Sequence, residues 1–267
     1  MIYGIREYKR NDIGALKALW CSTFGDSPEL VDSFFELLPS MGTGFVAEFD
    51  GEIFGAAYVL DAFLNLPDKS SKKIAYIYAV AVDESARGQG IGAELTRACM
   101  RNAWEYGADI CCTLPAEESL YGWYESNCGL TAASYCKYET IEASAEIDGI
   151  RRIGSEEYSF IREDLLKGLP HVSFYYGYLC FQEEIFLSAN GGFFEYNGAI
   201  ACGYIENGRL LIKEALGDCS DFIPSLCSFL GAKDALIRHA SPSGDRYIAA
   251  YQGKDFPENT VWNLTLD

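Results

Sequence analysis

Several features that mark common classes of protein are missing from this sequence. It has two histidines, so neither a histidine-rich metal site nor a Ser-His-Asp triad is expected. Its ten cysteines form no Cys-x-x-Cys pair, which predicts reduced thiols in a cytoplasmic protein. No run approaches the roughly 18 apolar residues of a transmembrane helix, and the N-terminal residues lack the apolar stretch of a signal peptide.

Basic residues are also few. Lys and Arg total 21 against 39 Asp and Glu, which gives the 267 residues a formal net charge of −18. A surface this negative repels phosphate backbones and anionic membranes and attracts cations. We therefore expect no nucleic-acid or membrane partner and favour a substrate that carries an amine. With 49% hydrophobic residues, the chain is expected to bury real cores, in about two domains.

Hydrophobic spacing and turn residues predict the order β-α-α-β-β-β-α-β-α for the first half of the chain. Asp50-Gly51 is a strong hairpin signal between two apolar strands. This order indicates an α/β protein with a mixed (α+β) sheet. The predicted strands are 2–8, 44–49, 53–63, 75–82 and 109–114, and the predicted helices are 13–24, 28–38, 91–106 and a short one around 120–124.

A repeat within the sequence predicts that the second half copies the first. Glu48–Ile53 resembles Glu195–Ile200, an offset of 147 residues (195 − 48), and both lie between apolar strands. The three elements that follow recur in the same order, at 209–216, 222–230 and 234–239. Because hairpins with such turns are common, the conserved order of the later elements carries the argument.

The repeat divides the chain into two predicted domains, residues 1–140 and 141–267. The boundary is expected near 140–150, where the sequence is acidic and weakly patterned.

Three alternating glycines, Gly88, Gly90 and Gly92, lie between the predicted strand and helix. Without Cβ atoms the backbone can turn sharply and let a ligand approach its amides. The first amides of a helix have no intrahelical partner, so this turn suits a phosphate or pyrophosphate. Arg87 would add a charge-assisted contact.

Other classes of protein use similar turns. Gly88-Gln-Gly90-Ile-Gly92-Ala93 satisfies the dinucleotide fingerprint, but three strands precede it and the next strand ends in Leu-Pro rather than an acid. A P-loop is excluded because no Gly-Lys-Ser/Thr follows. A purely structural turn stays open, although it would require neither the arginine nor three glycines.

Over about residues 1–140 the chain resembles the GNAT superfamily, the Gcn5-related N-acetyltransferases. Arg87-x-x-Gly90-x-Gly92 stands where that family has its Arg/Gln-x-x-Gly-x-Gly/Ala signature, and the order of elements agrees. The segment 114–125 resembles the family's late helix. It departs from the family in the longer spacing from Tyr124 to a glycine and in the absence of a preceding asparagine.

The resemblance implies a GNAT fold with splayed central strands, followed by a degenerate GNAT-like second domain. Acetyl-CoA would be the co-substrate, without a metal, its pantetheine pairing with Val80 and Val82. The second domain has Leu216-Gly-Asp-Cys-Ser-Asp221 in place of the glycine turn and would bind no acetyl-CoA. The cofactor-binding residues implied by the resemblance are Val80, Ala81, Val82, Arg87, Gly88, Gln89, Gly90, Ile91, Gly92 and Ala93.

The implied function is direct transfer of an acetyl group to a primary amine of a small molecule or peptide. Tyr124 matches the family's general acid, and Glu117 and Glu118 are candidates to accept a proton or hold a cationic amine. Each also has an ordinary explanation, since aromatic residues pack cores and acids favour helix N-termini. The alternative function is a non-catalytic acyl-CoA-binding sensor, a tandem pseudo-acetyltransferase. The sequence identifies neither the acceptor amine nor the oligomeric state.

Overall fold

In a computed structural model that describes residues 3–251, 256–257 and 259–267, the chain forms two mixed β-sheets, of eight and seven strands. The helices are α1 (Ile13–Phe24), α2 (Pro28–Met41), α3 (Ile91–Glu105), α4 (Glu118–Cys128), α5 (Ser155–Leu165), α6 (Tyr176–Ser188) and α7 (Phe222–Phe229). The strands are β1 (Gly4–Glu7), β2 (Gly42–Phe49), β3 (Glu52–Asn65), β4 (Ser71–Val82), β5 (Ile110–Thr113), β6 (Leu130–Ala132), β7 (Tyr135–Glu142), β8 (Arg151–Ile153), β9 (His171–Phe174), β10 (Gly192–Tyr196), β11 (Ala199–Glu206), β12 (Arg209–Leu216), β13 (Asp234–Ala240), β14 (Asp245–Arg246) and β15 (Ala249–Tyr251). Ile2, where the first predicted strand begins, lies outside the described residues.

The first sheet has the order β1-β2-β3-β4-β5-β15-β6, and β9 pairs with the far end of β3. Strands β4 and β5 are parallel, whereas β1 to β4 pair antiparallel in sequence order. The predicted mixed sheet and the predicted order of elements are therefore confirmed. We call the elements from β1 to β6 the first copy.

The second sheet repeats this arrangement. Strands β8, β10, β11, β12 and β13 occupy the places of β1 to β5, and β12 and β13 are again the parallel pair. The two repeated hairpins also share a turn, with φ of 51° and 82° at Asp50 and Gly51 and of 49° and 81° at Asn197 and Gly198. Positive φ at both central residues defines the type I′ turn that matches strand twist. The predicted second copy of the fold, here called the second copy (β8 to β13), is confirmed.

Each sheet contains a strand from the other half of the chain. β7, which follows the first copy, pairs with β13, and β15, which follows the second copy, lies between β5 and β6. The expected weakly patterned boundary at 140–150 therefore begins inside a strand. The sequence conceals β7 because its pairing uses main-chain groups while most of its side chains are exposed. The division into 1–140 and 141–267 stays a prediction, since neither range holds a complete sheet.

The first sheet carries a core on each face. One core lies under α1, α2 and α6 and includes Trp20, Phe34 and Tyr76. The other lies under α3 and α4 and includes Ile77, Leu95 and Tyr124. Neighbouring strand residues point to opposite faces, so β4 contributes to both cores. Among the helices of the described residues, none is long and apolar enough to cross a membrane.

Candidate active site

The parallel strands β4 and β5 pair only over Ile74–Ile77 and Ile110–Thr113. Beyond this point β5 ends, while β4 continues to Val82. A bulge opposite Ala57 accompanies the separation, and Ala79 has a φ of +48°. Within the described residues no strand pairs with this end of β4 on its β5 side, so the main chain of 78–82 has a free edge. This separation, called the gap below, confirms the predicted splay.

The predicted glycine turn lies at the end of the gap. Gly88 and Gly90 have φ of 77° and 81°, a backbone region that residues with a side chain rarely adopt. A Cβ built on either glycine would meet no atom within 4 Å. Helix α3 begins at Ile91, and the amide of Glu94 donates to the oxygen of Gly90 at 3.1 Å. The amides of the first turn before Glu94 therefore have no intrahelical acceptor.

Arg87 joins the glycine turn to the end of β4. Its Nε donates to the oxygen of Val82 at 3.1 Å, and its Nη1 lies 3.5 Å from Glu84. The side chain is half exposed. The guanidinium thus adds positive charge at the positive end of the α3 dipole.

A cavity of about 700 Å³ opens from the gap toward the second sheet. Its wall includes the free edge of β4 at Tyr78 and Val80, and residues of α6 and β11 from the second copy. The predicted residues Tyr124, Glu117, Glu118 and Val80 all line it. The other predicted cofactor-binding residues, Ala81, Val82 and 87–93, are not among its lining residues.

Tyr124 is 7% exposed and lies on α4, beside the end of β5. Burial raises the pKa of Tyr124 to about 12, a rise that its hydrogen bond with Thr113 partly offsets. The Thr113 hydroxyl in turn donates to the oxygen of Ile77 at 2.9 Å, across the last pair before the gap. Tyr124 is therefore a protonated phenol at neutral pH and can serve as a proton donor.

The two predicted glutamates differ in their partners. Glu117 is the residue before α4, and its carboxylate accepts a hydrogen bond from Ser119 at 2.5 Å. Glu118 forms an ion pair with Arg246, a residue that follows the second copy. Glu117 is thus the one of the two whose carboxylate has no ion pair among the described residues.

The cavity has an acidic lining. Arg246 is the one Lys or Arg among its described lining residues, whereas the carboxylates in the lining are Asp26, Glu117, Glu118, Asp245 and Asp267. Asp26 accepts a hydrogen bond from Trp20 Nε1 at 2.7 Å. Glu118 is paired with Arg246, and Asp267 with Lys213 and Arg238. The excess of acid that favours a cationic ligand therefore comes from Asp26, Glu117 and Asp245. In the described part of the chain, no group of three His, Cys, Asp or Glu side chains forms a metal site.

The second copy has a different structure at the corresponding place. The bulge in β12 falls at Lys213, whose Nζ lies 3.0 Å from the Asp267 carboxylate. Arg238 of β13 reaches the same carboxylate at 2.7 Å. Burial raises the pKa of Asp267, but Arg238 and Lys213 outweigh it and lower the pKa to about 2. Before α7, the Asp218 carboxylate accepts from the amide of Ser220 at 3.2 Å.

Three residues of the site were not found from the sequence. Thr113 appears there only as part of a buried strand. Tyr121 precedes Tyr124 by three residues, and this helical spacing was the one available signal. Arg246 carries no local signal, because its contact with Glu118 joins residues 128 positions apart.

The family comparison agrees with this geometry. Residues 4–126 match the Acetyltransferase (GNAT) domain family. Residues 4–126 therefore form a GNAT acetyltransferase domain, which supports an acyltransferase activity. No curated protein matches the chain.

Solved structures resemble both sheets. One is a conserved protein of unknown function from Enterococcus faecalis V583, described as a probable N-acyltransferase. It has a TM-score of 0.74 at 14% identity, and the match covers 94% of this chain and 72% of the Enterococcus chain. A GCN5-related N-acetyltransferase from Kribbella flavida has a TM-score of 0.69 at 13% identity and covers 93% and 71%. Eis1 from Mycobacterium abscessus has a TM-score of 0.65 at 12% identity and covers 92% and 73%. At these identities the likeness concerns the fold, which includes both copies.

Proposed function

We propose that this protein is an acetyl-CoA-dependent N-acetyltransferase that transfers the acetyl group directly to a primary amine. One observation carries the proposal: the free edge of β4, the buried hydroxyl of Tyr124 and several carboxylates meet in a single cavity. The ten cysteines, all in the described part of the chain, are free thiols. Free thiols fit a reducing compartment, so we place the enzyme in the cytoplasm.

The residues around the gap fit acetyl-CoA. The glycine turn offers unpaired amides and the positive end of α3 to the pyrophosphate, and Arg87 adds a charge. The free edge of β4 offers the main-chain groups of Val80 and Val82 to the amides of pantetheine, as it would to an added strand. Acetyl-CoA bound in this way supplies a thioester for attack.

Tyr124 supplies the proton that the departing sulfur needs. The amine nitrogen forms a bond to the thioester carbonyl carbon, the carbon–sulfur bond breaks, and the sulfur takes the phenolic proton of Tyr124. Glu117, whose carboxylate has no cationic partner in the described part of the chain, receives through water the proton that the amine gives up. Glu118 is less suited to this step because Arg246 holds it.

The acceptor is a small or peptidic amine that enters as a cation. A free primary amine is mostly protonated at neutral pH, since its pKa is near that of lysine, about 10.4. The acidic lining attracts this cation, and the site must then remove a proton to make the nitrogen nucleophilic.

The proposal is tested with Tyr124→Phe, which removes the phenolic oxygen and keeps the ring. We expect kcat on an amine panel to fall by about 10²–10⁴-fold, the usual contribution of a general acid, with little change in the Kd of acetyl-CoA. CoA release and calorimetric titration measure the two quantities.

Tyr106→Phe is the control, because Tyr106 is exposed and lies away from the gap. Undiminished CoA release by Tyr124→Phe would exclude Tyr124 as the proton donor. A wild-type protein that binds acetyl-CoA but releases no CoA with any amine would instead be the acyl-CoA sensor.

A further inference from the structure

The segment Asp245–Tyr251, here called the clamp segment, follows the second copy and contacts the helix that carries Tyr124. The hydroxyl of Tyr121 lies 2.8 Å from the oxygen of Arg246 and 2.7 Å from the oxygen of Tyr247, and these two acceptors share its single proton. Tyr121 is 6% exposed, so these bonds are shielded from water. One side chain of α4 is thus fixed to two consecutive peptide units of the clamp segment.

The side chain of Arg246 contacts the same helix, α4. Its guanidinium carbon lies 4.5 Å from the centre of the Tyr121 ring, in a cation–π contact. The guanidinium also pairs with Glu118, in the first turn of α4. The first turn of α4 therefore has contacts with both the main chain and the side chain of the clamp segment.

The clamp segment is also aligned with the strand end that contacts Tyr124. Within β15, Ala249 pairs with Thr113 on one side and with Ala132 on the other. Thr113 is the residue whose hydroxyl contacts Tyr124. Since β15 has strands on both sides, its pairing fixes the clamp segment relative to this hydroxyl.

We propose that Tyr121 and Arg246 are positioning residues for Tyr124, so that the clamp segment completes the catalytic site of the first copy. Tyr121 and Tyr124 are three residues apart on one helix and share a side of it. Fixing Tyr121 therefore fixes the direction from which the Tyr124 hydroxyl enters the cavity. The inference rests on the proposed function, because it assigns Tyr124 the proton transfer.

Tyr121→Phe tests this directly, since it keeps the ring beneath Arg246 and removes both hydrogen bonds. We expect kcat to fall about tenfold, with the Kd of acetyl-CoA unchanged, because a small displacement of a reacting group slows the chemical step. The pH profile should change as well. Burial holds the pKa of Tyr124 at about 12. In Tyr121→Phe the displaced Tyr124 hydroxyl is reached by water, which lowers this pKa toward its ordinary value of about 10. The alkaline loss of kcat then begins at lower pH than in the wild type.

Arg246→Ala and Arg246→Lys extend the test. Arg246→Lys keeps the positive charge beside Glu118 but loses the contact of the planar guanidinium with the Tyr121 ring. Its kcat should therefore lie between those of Arg246→Ala and the wild type.

Tyr158→Phe is the matched control, because it also removes a buried tyrosine hydroxyl, 2.9 Å from Glu214, in a core to which α4 contributes no residue. It should lower the Tm without moving kcat or the pH profile. Wild-type kcat and pH profile in Tyr121→Phe would overturn the inference, as would equal losses of kcat in Tyr121→Phe and Tyr158→Phe.

A separate measurement distinguishes failure of this inference from failure of the proposed function. If the wild type transfers no acetyl group, the titration of a ¹³C-labelled Tyr124 ring still reports its surroundings. A lower Tyr124 pKa in Tyr121→Phe than in the wild type supports the positioning contact. An identical titration in both proteins refutes it.

Discussion

The two copies share strand order, a parallel central pair and the same hairpin turn, yet they differ where those parallel strands separate. In the first copy the separated strand keeps a free edge, and two glycines with positive φ turn the chain into α3. In the second copy Lys213 and Arg238 hold Asp267 between the strands. The comparison shows that the fold does not depend on an open gap. The residues at the gap decide whether it can receive a ligand or is filled by the chain itself.

The strands next to the two bulges also differ in charge. Ala81 pairs with Ala56 in the first copy, whereas the corresponding pair in the second is Glu214 with Cys202. Glu214 is 0% exposed and accepts from Arg162, itself 1% exposed, at 2.7 Å and 3.1 Å. The second copy therefore has a buried ion pair where the first has a small apolar side chain.

The largest expected effect follows from breaking that ion pair. Glu214→Gln leaves the buried Arg162 guanidinium with the partly exposed Glu163 as its remaining carboxylate partner, so we expect the free energy of unfolding to fall by about 3–5 kcal/mol. Urea unfolding measures the loss. Glu94→Gln is the control, because its pair with Arg97 is partly exposed and should contribute at most about 1 kcal/mol. Similar losses in the two variants would contradict this account of the second copy.

A smaller effect is expected on acetyl-CoA binding, which we assign to the first copy and not to the second. The wild type should bind one acetyl-CoA per chain in a calorimetric titration. The second copy has Asp218 and Asp221 in place of the glycine turn, and its Asp267 side chain occupies the space between the parallel strands. Gly90→Val places a Cβ and two methyl groups in the open space beside the glycine turn. We expect the affinity to fall at least about 100-fold, or roughly 2.7 kcal/mol.

The control for this substitution comes from the second copy. Gly231 has a φ of 72° and open space around it, so Gly231→Val imposes the same backbone strain away from the gap. It should leave acetyl-CoA binding unchanged. Unchanged affinity in a folded Gly90→Val protein, or a stoichiometry of two in the wild type, would remove the proposed difference between the copies.

What the sequence could predict depended on how local each signal was. The glycine turn and the Asp-Gly and Asn-Gly turns act within a few residues, so both copies of the fold were recognisable. The pairing of β7 and β15 with the other half of the chain was not, because β7 has mostly exposed side chains and β15 is only three residues long, so neither carries a hydrophobic pattern that identifies its partner. The same reason hid part of the site, since Tyr121 and Arg246 are 125 positions apart. Tyr124 was predicted because the segment 114–125 resembles the family's late helix, whereas its contact with Thr113 required the structure.

The smallest expected effect concerns the cavity shared by the two copies. If its acidic lining attracts a cationic acceptor, kcat/KM for that acceptor should fall as salt screens the charges. We expect a decrease of about tenfold between about 20 and 500 mM salt for a polyamine or an aminoglycoside. A neutral aromatic amine serves as the control, because it has no charge to attract and should show little dependence on salt.

The ranking of acceptors makes this last prediction sharper than the salt dependence alone. Both copies and the clamp segment contribute to the lining, and Arg246, its one described Lys or Arg, is already paired with Glu118. An acidic peptide should therefore be acetylated more slowly than either cationic acceptor at low salt, since like charges oppose its approach. High salt should narrow this difference by screening attraction and repulsion alike. If the acidic peptide were acetylated best, or if salt left kcat/KM for the polyamine unchanged, the lining would not select the acceptor by charge. The net charge of −18 would then concern solubility rather than substrate choice.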